Sequence, residues 1–315
     1  MTDDDVLAEH NEHLAAIDRA LPVAPPLAPA PGDRSLTVDV DGSTGLGLAR
    51  TSRIAPDADD ALWMPLSSHA LEVRLAGRDR AAALGALLDE WLADVTRGET
   101  AGDRESAASV TVPSRDAELV APLLARGFAP TGIVGIRMAQ GGARDTRAPL
   151  DGRVVRRAQP SDVDRIAELD EKLLHHDARF GVVNVRPGAR ATLRTGLAQR
   201  LALAPDWTWV LERGDTITGF VHVLPPGKTG WFAGQSAFGE AAGFLVSIFV
   251  DPAERGAGAG ALLVQTAHDA LDASAAAATT LDYAVANPVS PAFWSRMGYR
   301  PLWTTWRRRP VRFTH

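Results

Sequence analysis

Between Arg255 and Ala261 the chain reads RGAGAGA, separated by four residues from the apolar run Phe244–Val250 and directly before a helical pattern. The first turn of a helix presents backbone N–H groups without intrahelical partners. With the helix dipole they form a site suited to phosphate. Side chains there would hold a diphosphate away from the backbone, whereas glycine admits it and permits positive φ. The stripped junction reads as a phosphate cradle; tight packing of a strand–helix corner is the alternative. Gly256, Gly258 and Ala261 also fit a G-x-G-x-x-A dinucleotide fingerprint, with Asp282 about 20 residues on. Against that, DPAER separates the strand from the first glycine, and too few residues follow Asp282 to complete a doubly wound sheet. The Gly-Lys-Thr of PGKTG is a poorer candidate, because the earlier glycine of a nucleoside-triphosphate loop falls at His222.

The elements that must position this junction follow from periodicity and breakers. Residues 6–20 suit a short amphipathic helix, and LPVAPPLAPAPGD (21–33) an extended segment. Strands are expected at Leu36–Val40, His69–Leu75, Ser109–Val112 and Gly132–Met138, with helices over Arg80–Val95 and Ala117–Ala125. The polar, glycine-rich QGGARDTRAPLDG (140–152) is the expected boundary between domains at 1–145 and 150–315. Beyond it come a strand at Val154–Arg157, a helix opened by Pro160 with Ser161 as N-cap, and a helix over Pro187–Leu203. A hairpin follows (Trp207–Glu212, Thr216–Leu224), then strand Phe244–Val250, helix Gly258–Ser274, strand Thr280–Ala286, a short helix Ala292–Met297 and a final strand Pro301–Arg309.

The two halves repeat one another. VTVPSRDAELVAPLLARGFAP (110–130) aligns with LDYAVANPVSPAFWSRMGYRP (281–301), with Gly127 on Gly298 and Pro130 on Pro301, an offset of 171 in both. RAAALGALL (80–88) aligns with RGAGAGALL (255–263) at an offset of 175. The first copy keeps Arg80 and Gly85 but has Ala81 and Ala83 where the second has Gly256 and Gly258.

VDPAERGAGAGALL resembles the acyl-CoA motif of the GNAT superfamily of N-acetyltransferases: a strand, Val-x-Pro, Arg-x-x-Gly-x-Gly, then a helix. Ala286-Asn287 and FWSRMGY (293–299) resemble its second motif. The likeness covers residues 152–315 well and the first half weakly. It implies an α/β protein of two GNAT-like domains, each a mixed, largely antiparallel central sheet flanked by helices, the first a degenerate copy. It also implies that backbone groups of Ile248, Phe249 and Val250 hold the pantetheine arm, and that Arg255, Gly256, Ala257, Gly258, Ala259 and Gly260 hold the diphosphate. Asn287 and Trp294 would complete the cofactor site. Asp116 occupies the Asn287 position of the first copy, which with the alanines argues against acyl-CoA there.

The implied reaction is direct attack of an amine on the acetyl thioester of acetyl-CoA. The family's tyrosine, which protonates the departing thiolate, is replaced by Trp294; Tyr283, Ser290, Ser295, Tyr299 or water are substitutes. Phe244 stands where a glutamate is usual, leaving Glu240 and His222 as candidate bases, each alternatively an ordinary surface or hydrogen-bonded residue. His175, His176 and Asp177 suit a loop lining the acceptor pocket or a solvated loop, and no metal site is expected. Trp207, Trp209 and Trp231 suit core packing or an aromatic wall. WRRRPVRF (306–313) suits a charged edge strand better than a nucleic-acid surface.

Composition bounds these readings. The 315 residues suffice for two domains of about 150. The absence of cysteine removes disulfides, thiolate metal sites and cysteine nucleophiles. The acidic start, the lack of a long apolar run and a net charge of −6 favour a cytoplasmic protein without membrane or nucleic-acid partners, monomer or homodimer, and mildly favour cationic ligands. The expected function is acetyl-CoA-dependent N-acetyl transfer to a small-molecule or peptide amine; a noncatalytic acyl-CoA binding or sensing protein is the alternative, and a purely structural pair of domains a third.

Overall fold

The computed structural model describes residues 1–140, 152–256 and 258–314. Most of the expected boundary at 140–152, and Ala257 of the cradle, lie outside the described residues. The chain divides into two compact units, Met1–Ile133 with Pro301–His315, and Val134–Arg300.

In the first unit, α1 (Asp3–Ile17) precedes strands β1 (Arg34–Val40), β2 (Ser43–Arg53) and β3 (Ser67–Ala76), helix α2 (Arg80–Val95), β4 (Ser106–Pro113) and α3 (Val120–Ala125). The chain then runs through β5 (Ala129–Met138). The second unit adds β6 (Arg153–Arg157), α4 (Val163–Asp177), α5 (Ala189–Leu203), β7 (Thr208–Arg213), β8 (Thr216–Leu224), β9 (Ala242–Val250), α6 (Ala259–Ala273), β10 (Ala278–Ala284) and α7 (Ser290–Arg296), before the last strand, β11 (Arg300–Arg308). Both units thus carry three strands, a helix, a strand and a short helix in the same order, as the repeat implies. Within these runs, β1–β3 and β7–β9 pair antiparallel, and β3 and β9 each pair parallel with the strand after the helix, β4 and β10. The fold is mixed α/β, with a largely antiparallel sheet flanked by helices.

The closing strands are where a linear reading and the contacts part. β11 pairs antiparallel with β4, and Trp306 is buried in the core of the first unit with Leu84, Leu87 and Trp91. On its other side Thr131 Oγ1 donates to Thr305 O at 3.2 Å. It is therefore an inner strand and not a charged edge. Its arginines are engaged: Arg308 donates to Val311 O and Arg126 O, and its guanidinium lies 4.5 Å from the Phe313 ring. From Val134 onward β5 belongs instead to the second unit, next to β10. Partner choice for a strand is set by packing at long range, so chain order alone assigns each closing strand to the half it follows.

β2 has no expected counterpart in the sequence reading. Its STGLGL stretch looks like a turn, yet Gly45 and Gly47 are strand residues over which α2 lies. A Cβ on Gly45 would stand 2.9 Å from Leu87 Cδ1, and one on Gly47 3.2 Å from Leu87 Cδ2. The helical turn opened by Pro160 is N-capped by Gln159 and not by Ser161: Asp162 accepts the Gln159 N–H at 2.7 Å and is also held by Arg156.

α6, which carries the glycine junction at its start, is fixed by an apolar stripe. Leu263, Val264, Ala267 and Leu271 are each 0% exposed and pack against β7, β8 and β9. At about 1.5–3 kcal/mol for each large apolar side chain, this stripe holds the helix start in register with the end of β9.

Candidate functional site

β9 and β10 pair over four residues only, Ala278 with Ala242 through Leu281 with Leu245. Beyond that the strands part. Val246, Ser247 and Ile248 on one side are half-buried, and Asp282 and Tyr283 on the other are exposed and half-buried. The parting coincides with a bulge: His222 of β8 faces Ser247 while Val223 faces Leu245, so Val246 has no partner on β8. The second unit therefore holds a wedge-shaped split whose apex lies at Leu245 and Leu281.

At the wide end of β9, Pro252–Glu254 form a 3-10 turn that delivers the chain to α6. Glu254 is buried between Arg153 (2.7 Å) and Arg213 (2.9 Å), which hold its carboxyl below its usual range. Arg255 folds back, donating through Nε to Val250 O at 2.9 Å with its guanidinium 5.5 Å from the Phe249 ring. Gly256 and Gly258 have φ of +88° and +81°, and Gly258 caps α6 without any side-chain hydrogen bond. A Cβ on Gly256 would meet nothing within 4 Å, and one on Gly260 would make only ordinary contact, 3.7 Å, with Phe293. Close packing thus does not demand these glycines. Backbone conformation and an open, uncapped helix start do, which fits an anion held by main-chain N–H groups. Ala259, 1% exposed, begins the helix beneath it.

The second lip ends in Asn287, buried, whose Oδ1 accepts the Val289 N–H at 3.2 Å and so shapes the entry to α7. Trp294 is buried between Phe293 and Tyr299, edge-on to both. Tyr299 is sealed in the core, its hydroxyl 2.9 Å from His268 Nε2, and burial pushes its pKa far up. Tyr283 is half-buried on the face that packs against α6 and α7, its phenol also pushed up by burial.

Of the candidate bases, Glu240 is exposed in the turn before β9. His222 is completely buried in β8, with Nδ1 2.6 Å from Thr208 Oγ1 and Nε2 without a hydrogen-bond partner. Burial, reinforced by Arg200, lowers its pKa to about 3, so it stays neutral. The unfolded chain gains this proton near 6.5 and the folded chain does not, so His222 makes stability fall as pH drops from 6.5 toward 3. His222→Gln should flatten the pH dependence of the urea midpoint across that range; an unchanged slope would show that the ring titrates freely in the fold.

His175, His176 and Asp177 lie on the last turn of α4 and not in a loop, with His176 edge-on to Phe180. Asp177 is raised to about 6 by burial and by Asp170. Trp207 and Trp209 pack edge to face, the latter in the core, whereas Trp231 is 74% exposed.

The first unit shows the same split with its contents replaced. β3 and β4 pair only from Ser67 with Ser106 to Leu71 with Val110. Across the ends beyond lies α1. His10 Nδ1 accepts the Leu75 N–H at 3.3 Å, Glu9 accepts the Gly77 N–H at 2.7 Å, and His13 Nε2 meets Asp116 at 2.8 Å. Leu75 is the repeat counterpart of Val250, and Asp116 of Asn287. The start of α2 is capped by Asp79, which accepts the Ala82 N–H at 2.8 Å, and Arg80 pairs with Glu118 at 2.5 Å. α2 thus has a side chain on a first-turn amide, which α6 lacks. Nothing in the sequence of α1 beyond its amphipathicity announces this role. His13, Asp116 and Glu118 also lie close enough to share a cation among the described residues, but Arg80 already neutralises Glu118.

Each unit holds a parallel-strand split, and in the second the split feeds an uncapped, glycine-rich helix start. Residues 204–301 match the family model described as an acetyltransferase (GNAT) domain. Among solved structures, a GCN5-related N-acetyltransferase from Sphaerobacter thermophilus is similar at a TM-score of 0.57 and 13% identity, covering 86% of this chain and 81% of that one. A tandem GNAT protein from the clavulanic acid biosynthesis pathway covers 100% of this chain and 97% of its own at a TM-score of 0.50 and 14% identity. A GNAT-family acetyltransferase from Colwellia psychrerythraea gives 0.50 and 11%, covering 98% and 97%. No curated protein sequence matches. Residues 204–301, all but Pro301 within the second unit, thus match an acetyltransferase (GNAT) domain, and the chain shares its fold with these solved structures. No helix among the described residues is long and apolar enough to cross a membrane.

Proposed function

We propose that the protein is an acetyl-CoA-dependent N-acetyltransferase whose working cofactor site is the split of the second unit. The observation that carries this reading is the open, uncapped start of α6 at Gly258–Gly260, set at the end of the β9–β10 split. The amides of Ala259 and Gly260 would hold the diphosphate, with the glycine turn before them keeping the approach clear. The edge of Val246–Val250 that is no longer paired with β10, together with buried Asn287, would hold the pantetheine arm. The cofactor supplies an acyl thioester. The unpartnered backbone at the Val246 bulge is suited to polarise its carbonyl. With Tyr299 sealed in the core and Trp294 unable to act as an acid, half-buried Tyr283 or water is left to protonate the thiolate; a thiol of pKa about 8.5 leaves tolerably without help.

One chain should bind one acetyl-CoA, because α1, Asp79 and the Arg80–Glu118 pair fill the first unit. Calorimetry should give a stoichiometry of one, unchanged in Ala83→Ser; two sites, or loss of binding in that variant, would contradict the assignment. The sealed Tyr299 and Trp294 also favour a second reading, a noncatalytic acyl-CoA sensor. Thiol release from acetyl-CoA with a panel of amines separates them: tight binding with no turnover on any amine supports the sensor.

A further inference from the structure

Asp282 is the first residue of β10 beyond the apex of the split, and none of the roles above uses it. In the parallel register Thr280 faces Phe244 and Leu281 faces Leu245. Leu245 and Leu281 point into the core against α6. Phe244, Thr280 and Asp282 therefore share the opposite face, and Asp282 stands beside the bulge at Val246. Its carboxylate accepts a hydrogen bond from the Gln235 side chain, at the end of the 3-10 segment Gly230–Gln235. The same segment lays Phe232 flat on Phe244, with centroids 3.7 Å apart and planes at 15°, and Trp231 on Phe232 at 3.9 Å. One short segment thus orients a carboxylate beside the apex and builds an aromatic ledge rising from the same face to the exposed Trp231.

Resting on the acetyltransferase reading, we propose that Asp282 receives the acceptor's ammonium group and takes its proton, and that the acceptor is a protonated primary amine carried on an aromatic or apolar body. The carboxylate matches the ammonium, and the Phe244–Phe232–Trp231 ledge matches the body and adds cation–π attraction. Asp282 removes one proton from the ammonium. The neutral nitrogen attacks the thioester carbonyl carbon; the C–N bond forms and the C–S bond breaks. The second nitrogen proton reaches the departing thiolate through water, giving the amide and CoA thiol, and Asp282 returns its proton to solvent. The protein packed around Asp282 pushes its carboxyl up to about 6, while its side chain keeps a solvent-facing surface. Water on that surface tempers the shift, and its upward direction is what suits a base at neutral pH.

The test uses the full chain, acetyl-CoA, phenethylamine and its neutral counterpart 2-phenylethanol, with thiol release as the rate. Wild type should acetylate the amine and leave the alcohol untouched. Asp282→Asn preserves shape and should lower kcat/KM by about 10²-fold or more. In calorimetry with CoA present, Asp282→Asn should weaken phenethylamine binding at least about tenfold, with acetyl-CoA affinity unchanged. Trp231→Ala should raise KM about two- to fivefold at constant kcat. Wild-type kcat/KM in Asp282→Asn would overturn the proposal, as would a wild type that binds acetyl-CoA yet acetylates neither phenethylamine nor n-hexylamine. A wild type with no heat of acetyl-CoA binding would remove the cofactor reading first, and this proposal with it.

Discussion

Gly258→Asp will eliminate measurable acetyl-CoA binding while the protein keeps a cooperative unfolding transition. Gly258 sits at φ +81° as the N-cap of α6, with no side chain on the first-turn amides. Aspartate is among the residues that best tolerate this backbone region, and the strain is about 1–2 kcal/mol, small against a typical stability of about 5–15 kcal/mol. Its carboxylate would cap first-turn amides of α6, as Asp79 caps the Ala82 N–H in α2. The variant thereby converts the second cradle into the first. Hydrogen bonds to a charged group contribute about 1.5–3 kcal/mol each; removing two, and placing a negative charge beside a diphosphate, should cost about 10²–10⁴-fold in affinity. Calorimetry gives the affinity and urea denaturation the fold. Wild-type affinity in a folded variant would place the nucleotide elsewhere.

The contrast between the units explains what the sequence disclosed and what it hid. The glycine–alanine run was legible because its cause is local: a positive φ and an open helix start leave their mark on the residues that adopt them. Asn287 and its counterpart Asp116 were legible through the repeat. Asp282 was visible as a residue but not as part of a site, because its meaning depends on Gln235, 47 positions away in a loop without periodicity. The strand character of β2 was hidden by Gly45 and Gly47, whose missing side chains make room for Leu87 of α2. The occupation of the first split was hidden because its partners lie far apart in sequence. His10, Glu9 and His13 cap amides and a carboxylate supplied by β3 and the segment after β4, and no spacing within α1 reports those partners. His10 also shows the cost of such a role, since burial, ahead of the nearby Arg74, lowers its pKa to about 4 and keeps it neutral.

The same long-range logic makes Arg137 an exacting residue for stability. It lies on β5, 1% exposed, and donates through both terminal nitrogens to Asp272 at the end of α6, at 2.9 and 2.7 Å. This pair fastens a strand beside β10, whose outer end is one lip of the split, to the helix whose start is the cradle. Asp272→Ala leaves a guanidinium buried without its counter-ion, and breaking such a pair from one side costs about 3–5 kcal/mol. Arg137→Met with Asp272→Leu removes both charges and should recover most of that loss, since the two changes are strongly coupled. Burial works to raise the Asp272 carboxyl, but the hydrogen bonds and charge of Arg137 outweigh it and hold it below 3.8. The pair therefore contributes fully above the unfolded carboxylate range and fades as pH falls through the depressed folded value. Urea midpoints for the wild type, Asp272→Ala and the double variant, taken at pH 7 and again near pH 3, measure both effects. A loss below about 1 kcal/mol for Asp272→Ala at pH 7 would mean that water or another group takes up the Arg137 charge, and the tie between strand and helix would have to be sought in apolar packing instead.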